Sequence, residues 1–265
     1  MGNVTHMTDS LDFSGHVALV TGGSRGIGRG IAEALLAAGA DVVVCGRTEP
    51  ESLPAVGGRV CRFVSADVRD ADAVAALFDT VAAQHGHIDL LVNNAGGAPS
   101  ADTATTSPRF SQAIVELNLL APLLCSQRAN AVMQTQKTGG VILNITSVSG
   151  TRPSPGTAAY GAAKAGLLNL TQTLAVEWAP KVRVNAITAG LIATEQSHLH
   201  YGDAAGVAAV GTTVPLGRMG TPSDVANACL FLASPLASYI SGANLLVHGG
   251  GERPAFLKAV EDTKQ

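Results

Sequence analysis

The sequence predicts a single α/β domain, a doubly wound parallel sheet of about seven strands with helices on both faces. Two observations lead there. Short apolar runs alternate along the chain with longer stretches of helical periodicity. The short runs are also nearly continuous in Val, Ile and Leu, as strands buried on both faces are. Composition agrees: 46% of the 265 residues are hydrophobic and only 14% charged, which excludes a disordered chain. The 30 glycines suit helices packed closely on a sheet.

Strand patterns occupy residues 16–21, 41–46, 59–65, 89–93, 141–146, 182–187 and 244–247. Helices are expected over 26–38, 71–85, 110–136, 158–178 and 223–234. Gly39 is placed to stop the first, and Thr221-Pro222-Ser223-Asp224 gives the last a polar cap and an early proline. This alternation implies right-handed crossovers within one domain, residues 13–250. A polar arm, 1–12, precedes it and a tail, 251–265, follows.

A net charge of −3 gives no reason to expect nucleic acid or an anionic membrane as partner. Cys45, Cys61, Cys125 and Cys229 are widely spaced in apolar segments without a CxxC, which reads as buried free thiols. No run approaches the ~18 apolar residues of a membrane span, and residues 1–13 lack an apolar signal core. A soluble, cytoplasmic protein is expected.

Thr21-Gly22-Gly23-Ser24-Arg25-Gly26-Ile27-Gly28 stands where the first strand hands over to the first helix. Glycines there allow a tight turn and let backbone N–H groups approach a pyrophosphate at the positive end of the helix. Alone, such a turn can also be mere geometry. The spacing TGxxxGxG is not GxGxxG, but it resembles the cofactor turn of the short-chain dehydrogenase/reductase family. Other motifs of that family follow in order. Asp67-Val68 comes after the third strand and Asn93-Asn94-Ala95-Gly96 after the fourth, and Asn118, Ser147, Tyr160 and Lys164 match its catalytic tetrad. The similarity covers residues 13–250 and extends to members like the 3-oxoacyl-carrier-protein reductases.

The resemblance implies a Rossmann-type fold and hydride transfer between a nicotinamide cofactor and a carbonyl or secondary-alcohol substrate. It puts Gly22, Ser24, Arg25, Gly26, Ile27 and Gly28 at the cofactor's phosphates and Asp67 and Val68 at its adenine. Asn94, Ala95 and Gly96 line the cofactor, Lys164 reaches the nicotinamide ribose beside Tyr160, and Gly190, Ile192 and Thr194 meet the carboxamide and pyrophosphate. In dinucleotide folds an acidic residue ending the second strand favours NAD, and its absence beside an arginine favours NADP. Here Val42-Val43-Val44-Cys45 is followed by Gly46 and Arg47, with Arg25 as a second cation. NADP(H) is therefore expected over NAD(H), although Glu49 and Glu51 lie close by.

Tyr160 and Lys164 stand at i and i+4, neighbours on one helix face. A free tyrosine, with pKa about 10, is a poor base, and lowering it by roughly three units takes about 4 kcal/mol. A fixed ammonium and an oxidised nicotinamide would supply that stabilisation. Ser147, thirteen residues earlier at a strand end, is expected to orient the substrate oxygen. Asn118 in an apolar helix is either a satisfied core amide that bends the helix or, by resemblance, a backbone carbonyl holding a water that relays protons to Lys164. Asn144 is read as structural.

One departure from the family pattern is Asn185-Ala186-Ile187-Thr188-Ala189-Gly190, where alanine replaces the usual proline. A looser turn is expected there. Residues 194–213 read as a solvated loop covering the substrate; His198 and His200 lack a matching Cys or carboxylate cluster, so no metal is expected. Residues 151–157 form the other wall. The helices at 110–136 and 158–178 have apolar surface to spare, which predicts a dimer or tetramer. A nucleotide-sugar epimerase would need a larger C-terminal region, and a dinucleotide-sensing regulator would predict a broken tetrad.

Overall fold

A computed structural model describes residues 9–257 of the chain; positions 1–8 of the expected arm and 258–265 of the expected tail lie outside the described residues. The strands, in chain order, are Val17–Thr21 (β1), Asp41–Gly46 (β2), Ala55–Val56 (β3), Arg59–Val60 (β4), Arg62–Ser65 (β5), Leu90–Asn93 (β6), Gly140–Ser147 (β7), Val182–Ala189 (β8) and Asn244–Val247 (β9). Seven of them form one sheet in the order β5-β2-β1-β6-β7-β8-β9, parallel throughout. The order reverses between β1 and β6, and in doubly wound sheets ligands bind outside the strand ends at that point.

The helices are Gly26–Ala37 (α1), Ala71–His85 (α2), Pro108–Val115 (α3), Ala121–Met133 (α4), Ala158–Glu177 (α5), His198–Tyr201 (α6), Ala204–Thr213 (α7) and Pro222–Ala233 (α8). They make two layers because successive strand residues point to opposite faces. Ala18 and Val20 of β1 join Ile31 and Leu35 of α1 and Val225 and Leu232 of α8 in one core. Val17 and Leu19 join Leu77 and Val81 of α2, Cys125 and Met133 of α4 and Leu174 of α5 in the other. All four cysteines are buried free thiols, as expected. No helix among the described residues is long and apolar enough to cross a membrane.

Several helix ends follow local chemistry. Asp70 accepts hydrogen bonds from the N–H groups of Asp72 and Ala73 at the start of α2, and Gly86 ends that helix at φ 79°. Thr221 and Asp224 form a reciprocal capping box on α8, with Pro222 at its first position. Arg218 grips Asp224 through both guanidinium ends, at 2.8 and 2.9 Å, and holds that carboxyl well below its usual range.

Four expectations change. The strand expected at 59–65 is two pieces: β4 pairs antiparallel with β3, whereas β5 joins the main sheet. Buried Cys61 divides them, its N–H donating to Pro54 O. The helix expected at 110–136 begins earlier, after the Ser107 cap, and is broken by a π-helical turn over Glu116–Leu120. The 194–213 segment is not a bare loop, since it contains α6 and α7. Finally, the strand expected at 182–187 runs on through Ala189, in register with Ser147 and Val247, so the alanine lies in the ladder rather than in a turn. Alanine keeps the N–H that a ladder needs and proline lacks.

Candidate active site

The expected site residues gather at the C-terminal edge of the sheet, around the β1–β6 switch. Gly22 turns the chain out of β1 at φ 62°, and Gly26 opens α1 at φ 54°. Close approach fixes other glycines. A Cβ on Gly28 would lie 2.4 Å from Asn94 Nδ2, and one on Gly22 would lie 3.0 Å from Ala95 Cα. Gly28 is buried, Ser24 and Ile27 are half-buried, and Arg25 is exposed just before α1.

Asn94 and Thr21 tie this turn to the end of β6. Asn94 Nδ2 donates to Thr21 O at 3.0 Å and Gly22 O at 3.1 Å. Thr21 Oγ1 accepts from the N–H groups of Asn94 and Ala95, each at 3.0 Å. Beneath lies a buried amide ladder, in which Asn93 Nδ2 donates to Asn144 Oδ1 at 2.8 Å and Asn144 Nδ2 to Thr171 Oγ1 at 2.9 Å. Both ends of the Asn144 amide are taken up by these bonds.

Among the residues expected at the adenosine, Arg47 follows β2 and is exposed, while Val68 is buried after β5. Asp67 is held by Arg69, which the sequence reading missed. Arg69 Nε donates to Oδ1 at 3.0 Å and Nη2 to Oδ2 at 2.6 Å. This pairing, reinforced by Arg47, keeps the Asp67 carboxyl below its usual range. A D-x-R spacing was the available signal.

Tyr160 lies in the first turn of α5, near Ser147, the last residue of β7, whose hydroxyl favours the ionised phenol. Lys164, one turn on, is 3% exposed, and its Nζ sits 5.7 Å from the Tyr160 ring centroid. That ammonium donates to Ile145 O at 2.9 Å. Burial pushes the Lys164 pKa down to about 8 and pushes Tyr160 up, opposed by Ser147. The lowered tyrosine pKa expected from the sequence is thus not a property of the free protein. Asn118 is fully buried within the π-helical turn. Its Oδ1 accepts from Gly97 N–H at 2.9 Å, and its Nδ2 donates to Gly97 O at 3.0 Å and Ile114 O at 2.9 Å. Its side chain is therefore a satisfied core amide that joins helix to cleft. Any Cβ at Gly96 would come within 2.7 Å of Asn118 Oδ1 and 3.3 Å of Lys164 Nζ.

Gly190 N–H donates to Val247 O at 2.9 Å, and Ile192 bridges to Gly220, so Thr194 is carried back toward α1. Two contacts here were not anticipated. Glu195 Oε1 accepts a 2.9 Å hydrogen bond from Gly26 N–H, so an anionic oxygen already fits the glycine turn. Arg152, in the 151–157 wall, pairs with Glu252 beyond β9. Each couples residues too far apart in the chain for local pattern to reveal.

A family model described as Enoyl-(Acyl carrier protein) reductase matches residues 22–252. The chain is 40% identical over 244 residues to a 3-oxoacyl-[acyl-carrier-protein] reductase of Synechocystis, covering 88% of this chain and 96% of that one. It is 36% identical over 245 residues to a 2-dehydro-3-deoxy-D-gluconate 5-dehydrogenase of Escherichia coli, covering 91% and 97%. Among solved structures, the ligand-free aldohexose dehydrogenase of Thermoplasma acidophilum superposes with a TM-score of 0.83 at 32% identity, covering 90% of this chain and 94% of that one.

The buried lysine makes stability depend on pH. Its folded pKa of about 8 lies below the ordinary 10.5, so below pH 8 both states are protonated and the folded state bears the full cost of the buried charge. As pH rises from 8 to 10.5 the folded state alone has released its proton, and stability increases. Urea denaturation without cofactor should show the wild type gaining up to about 3 kcal/mol on Lys164→Met across that window, and nothing between pH 5 and 7. A flat difference would mean that Lys164 titrates normally.

Proposed function

Since this chain belongs to the short-chain dehydrogenase/reductase family, as an NAD(P)(H)-dependent oxidoreductase acting on CH–OH or C=O groups, we propose that it interconverts a carbonyl compound and its alcohol using NADP(H), with Tyr160 as general acid and base. The observation that carries this reading is the buried Lys164 ammonium 5.7 Å from the Tyr160 ring centroid, with Ser147 placed to favour the ionised phenol. A buried cation is costly unless something nearby becomes negative. The phenolate left after proton donation is that partner.

The residues present fit a dinucleotide. The Gly22–Gly28 cradle is closed to any Cβ at Gly22 and Gly28, and the first N–H of α1 is bound by a carboxylate oxygen. When bound, the cofactor supplies or accepts the hydride. Gly22, Ser24, Arg25, Gly26, Ile27 and Gly28 hold the phosphates, and Asp67 with Val68 receives the adenine. Asn94, Ala95 and Gly96 floor the cleft, and Gly190, Ile192 and Thr194 close its far side. Arg47 and Arg25 meet the 2′-phosphate, since β2 ends in glycine rather than a carboxylate.

In reduction, Tyr160 donates its proton to the substrate oxygen, which Ser147 holds within reach; oxidation runs in reverse. Lys164 stabilises the phenolate and hydrogen-bonds the nicotinamide ribose. Asn118 positions the Gly97 segment beside Lys164, and its backbone carbonyl holds a relay water. The substrate wall combines Pro99, Thr106, Phe110, Ile114 and Thr157 beside Tyr160, suiting a small, partly apolar carbonyl compound. The residue ranges 13–250 and 194–213 stand as catalytic domain and substrate cover, in a cytoplasmic homo-oligomer. Val176 and Leu120, 80% and 45% exposed on the α4–α5 side, support that assembly.

Tyr160→Phe should retain NADP(H) binding and lose at least about 100-fold in turnover, measured by NADPH absorbance against ketones, ketosteroids and 3-ketoacyl thioesters. Turnover like the wild type's would reject the tyrosine mechanism. Arg47→Ala should raise Kd for NADPH about tenfold while leaving that for NADH unchanged; equal effects on both would reject the 2′-phosphate role. Light scattering should return a dimer or tetramer, and a monomer would contradict the assembly.

A further inference from the structure

Glu195 follows Thr194 at the entrance to the substrate-covering segment, and it is exposed. Its carboxylate reaches across the cleft to the first residue of α1, where Oε1 accepts the Gly26 N–H at 2.9 Å. The first N–H groups of a helix have no partner within it, and the aligned peptide dipoles make that end positive. Helix α1 has no acidic residue in its own first turn, and Arg25, just before it, makes no side-chain cap. The cap comes instead from an element 169 residues away. The Gly26 N–H is also one of the donors assigned above to the cofactor's phosphates. A carboxylate and a phosphate cannot both occupy it closely, because two anions side by side repel.

We propose that Glu195 is a displaceable stand-in for the cofactor's pyrophosphate, a residue that sets cofactor affinity and couples cofactor arrival to release of the substrate-covering segment from α1. This rests on the reading of the Gly22–Gly28 turn as the cofactor site. The coupling follows from the local wiring. Thr194 N–H donates to Ser197 Oγ at 2.8 Å and Ser197 N–H to Thr194 O at 3.0 Å, while Glu195 O lies 3.0 Å from His198 Nδ1. Residues 194–198 are therefore one compact knot leading into α6. The Glu195 carboxylate, with Thr194 Cγ2 packed 3.6 Å from where a Gly26 Cβ would stand, fastens that knot to the phosphate turn. An anion that displaces the carboxylate unfastens it. Cofactor affinity is then reduced by the fraction of molecules in which Glu195 is seated.

Isothermal titration of the full chain with NADP⁺, NAD⁺ and inorganic pyrophosphate tests this in the wild type, Glu195→Gln and Glu195→Ala. Glu177→Gln, exposed at the last residue of α5, controls for the loss of one negative charge. Glu195→Ala should bind NADP⁺ about three- to tenfold more tightly than the wild type, with Glu195→Gln between them and Glu177→Gln within about twofold of the wild type. Pyrophosphate should give the same rank order, since it carries the competing anionic oxygens alone. Unchanged or weaker binding in both Glu195 variants overturns the stand-in role while leaving the cofactor reading intact, as does an equal gain in Glu177→Gln. A wild type that binds neither dinucleotide overturns the cofactor reading and the stand-in together.

Discussion

The cleft depends on how the ends of β1 and β6 satisfy their backbone groups where the two helical layers part. At that point the sheet order reverses and the crossovers leave in opposite directions, so no helix seats directly above the strand ends. Thr21 Oγ1 and the Asn94 amide take over the missing backbone partners, binding β1, the glycine turn and β6 into one unit. Asn118 repeats the device from the π-helical turn, closing on both backbone groups of Gly97. Asn93 and Asn144 carry it beneath the sheet to Thr171 of α5, the helix that bears Tyr160 and Lys164. Short amides suit this work because each offers two donors and an acceptor on a stiff stem.

On that frame the molecule places one expensive group. Lys164 is buried, and burial alone moves its pKa. Burial also raises Tyr160, so the ligand-free pair consists of a neutral phenol beside an ammonium held by Ile145 O. Desolvation thus pushes against a phenolate while the neighbouring cation favours one.

Sequence pattern was most informative where burial enforces periodicity. Asp41–Gly46 and Ala71–His85 have the bounds the apolar runs suggest, because both faces of an interior strand and one face of its helix must be apolar; the half-exposed edge strand Asn244–Val247 matches its run without that constraint. It misled where a single residue breaks an otherwise continuous run. Cys61 is as apolar as Val60 before it, yet it turns the chain from a two-stranded ribbon into the main sheet. The π-helical turn likewise leaves the 110–136 pattern almost intact, since one extra residue per turn barely alters which side chains are apolar. Helices α6 and α7 lack a strong apolar stripe and looked like loop. The glycine turn and the spacing of Ser147, Tyr160 and Lys164 could be read because each is local, four to thirteen residues apart, whereas Asn118 entered only through the family resemblance. Partners such as Glu195 for Gly26 and Glu252 for Arg152 arise only from the fold.

Arg152 and Glu252 illustrate a division within the cleft. Both side chains are more than a third exposed, and an ion pair of that kind contributes at most about 1 kcal/mol. The rim they join, residues 151–157 with the chain after β9, lies outside the ladder of the main sheet. Changes there cost the fold little. The floor allows no such freedom, because a single methyl group at Gly28, Gly96 or Gly150 would fall within 2.7 Å of its neighbours. The rim can therefore be reshaped by point substitution without disturbing the close-packed glycine floor beneath it.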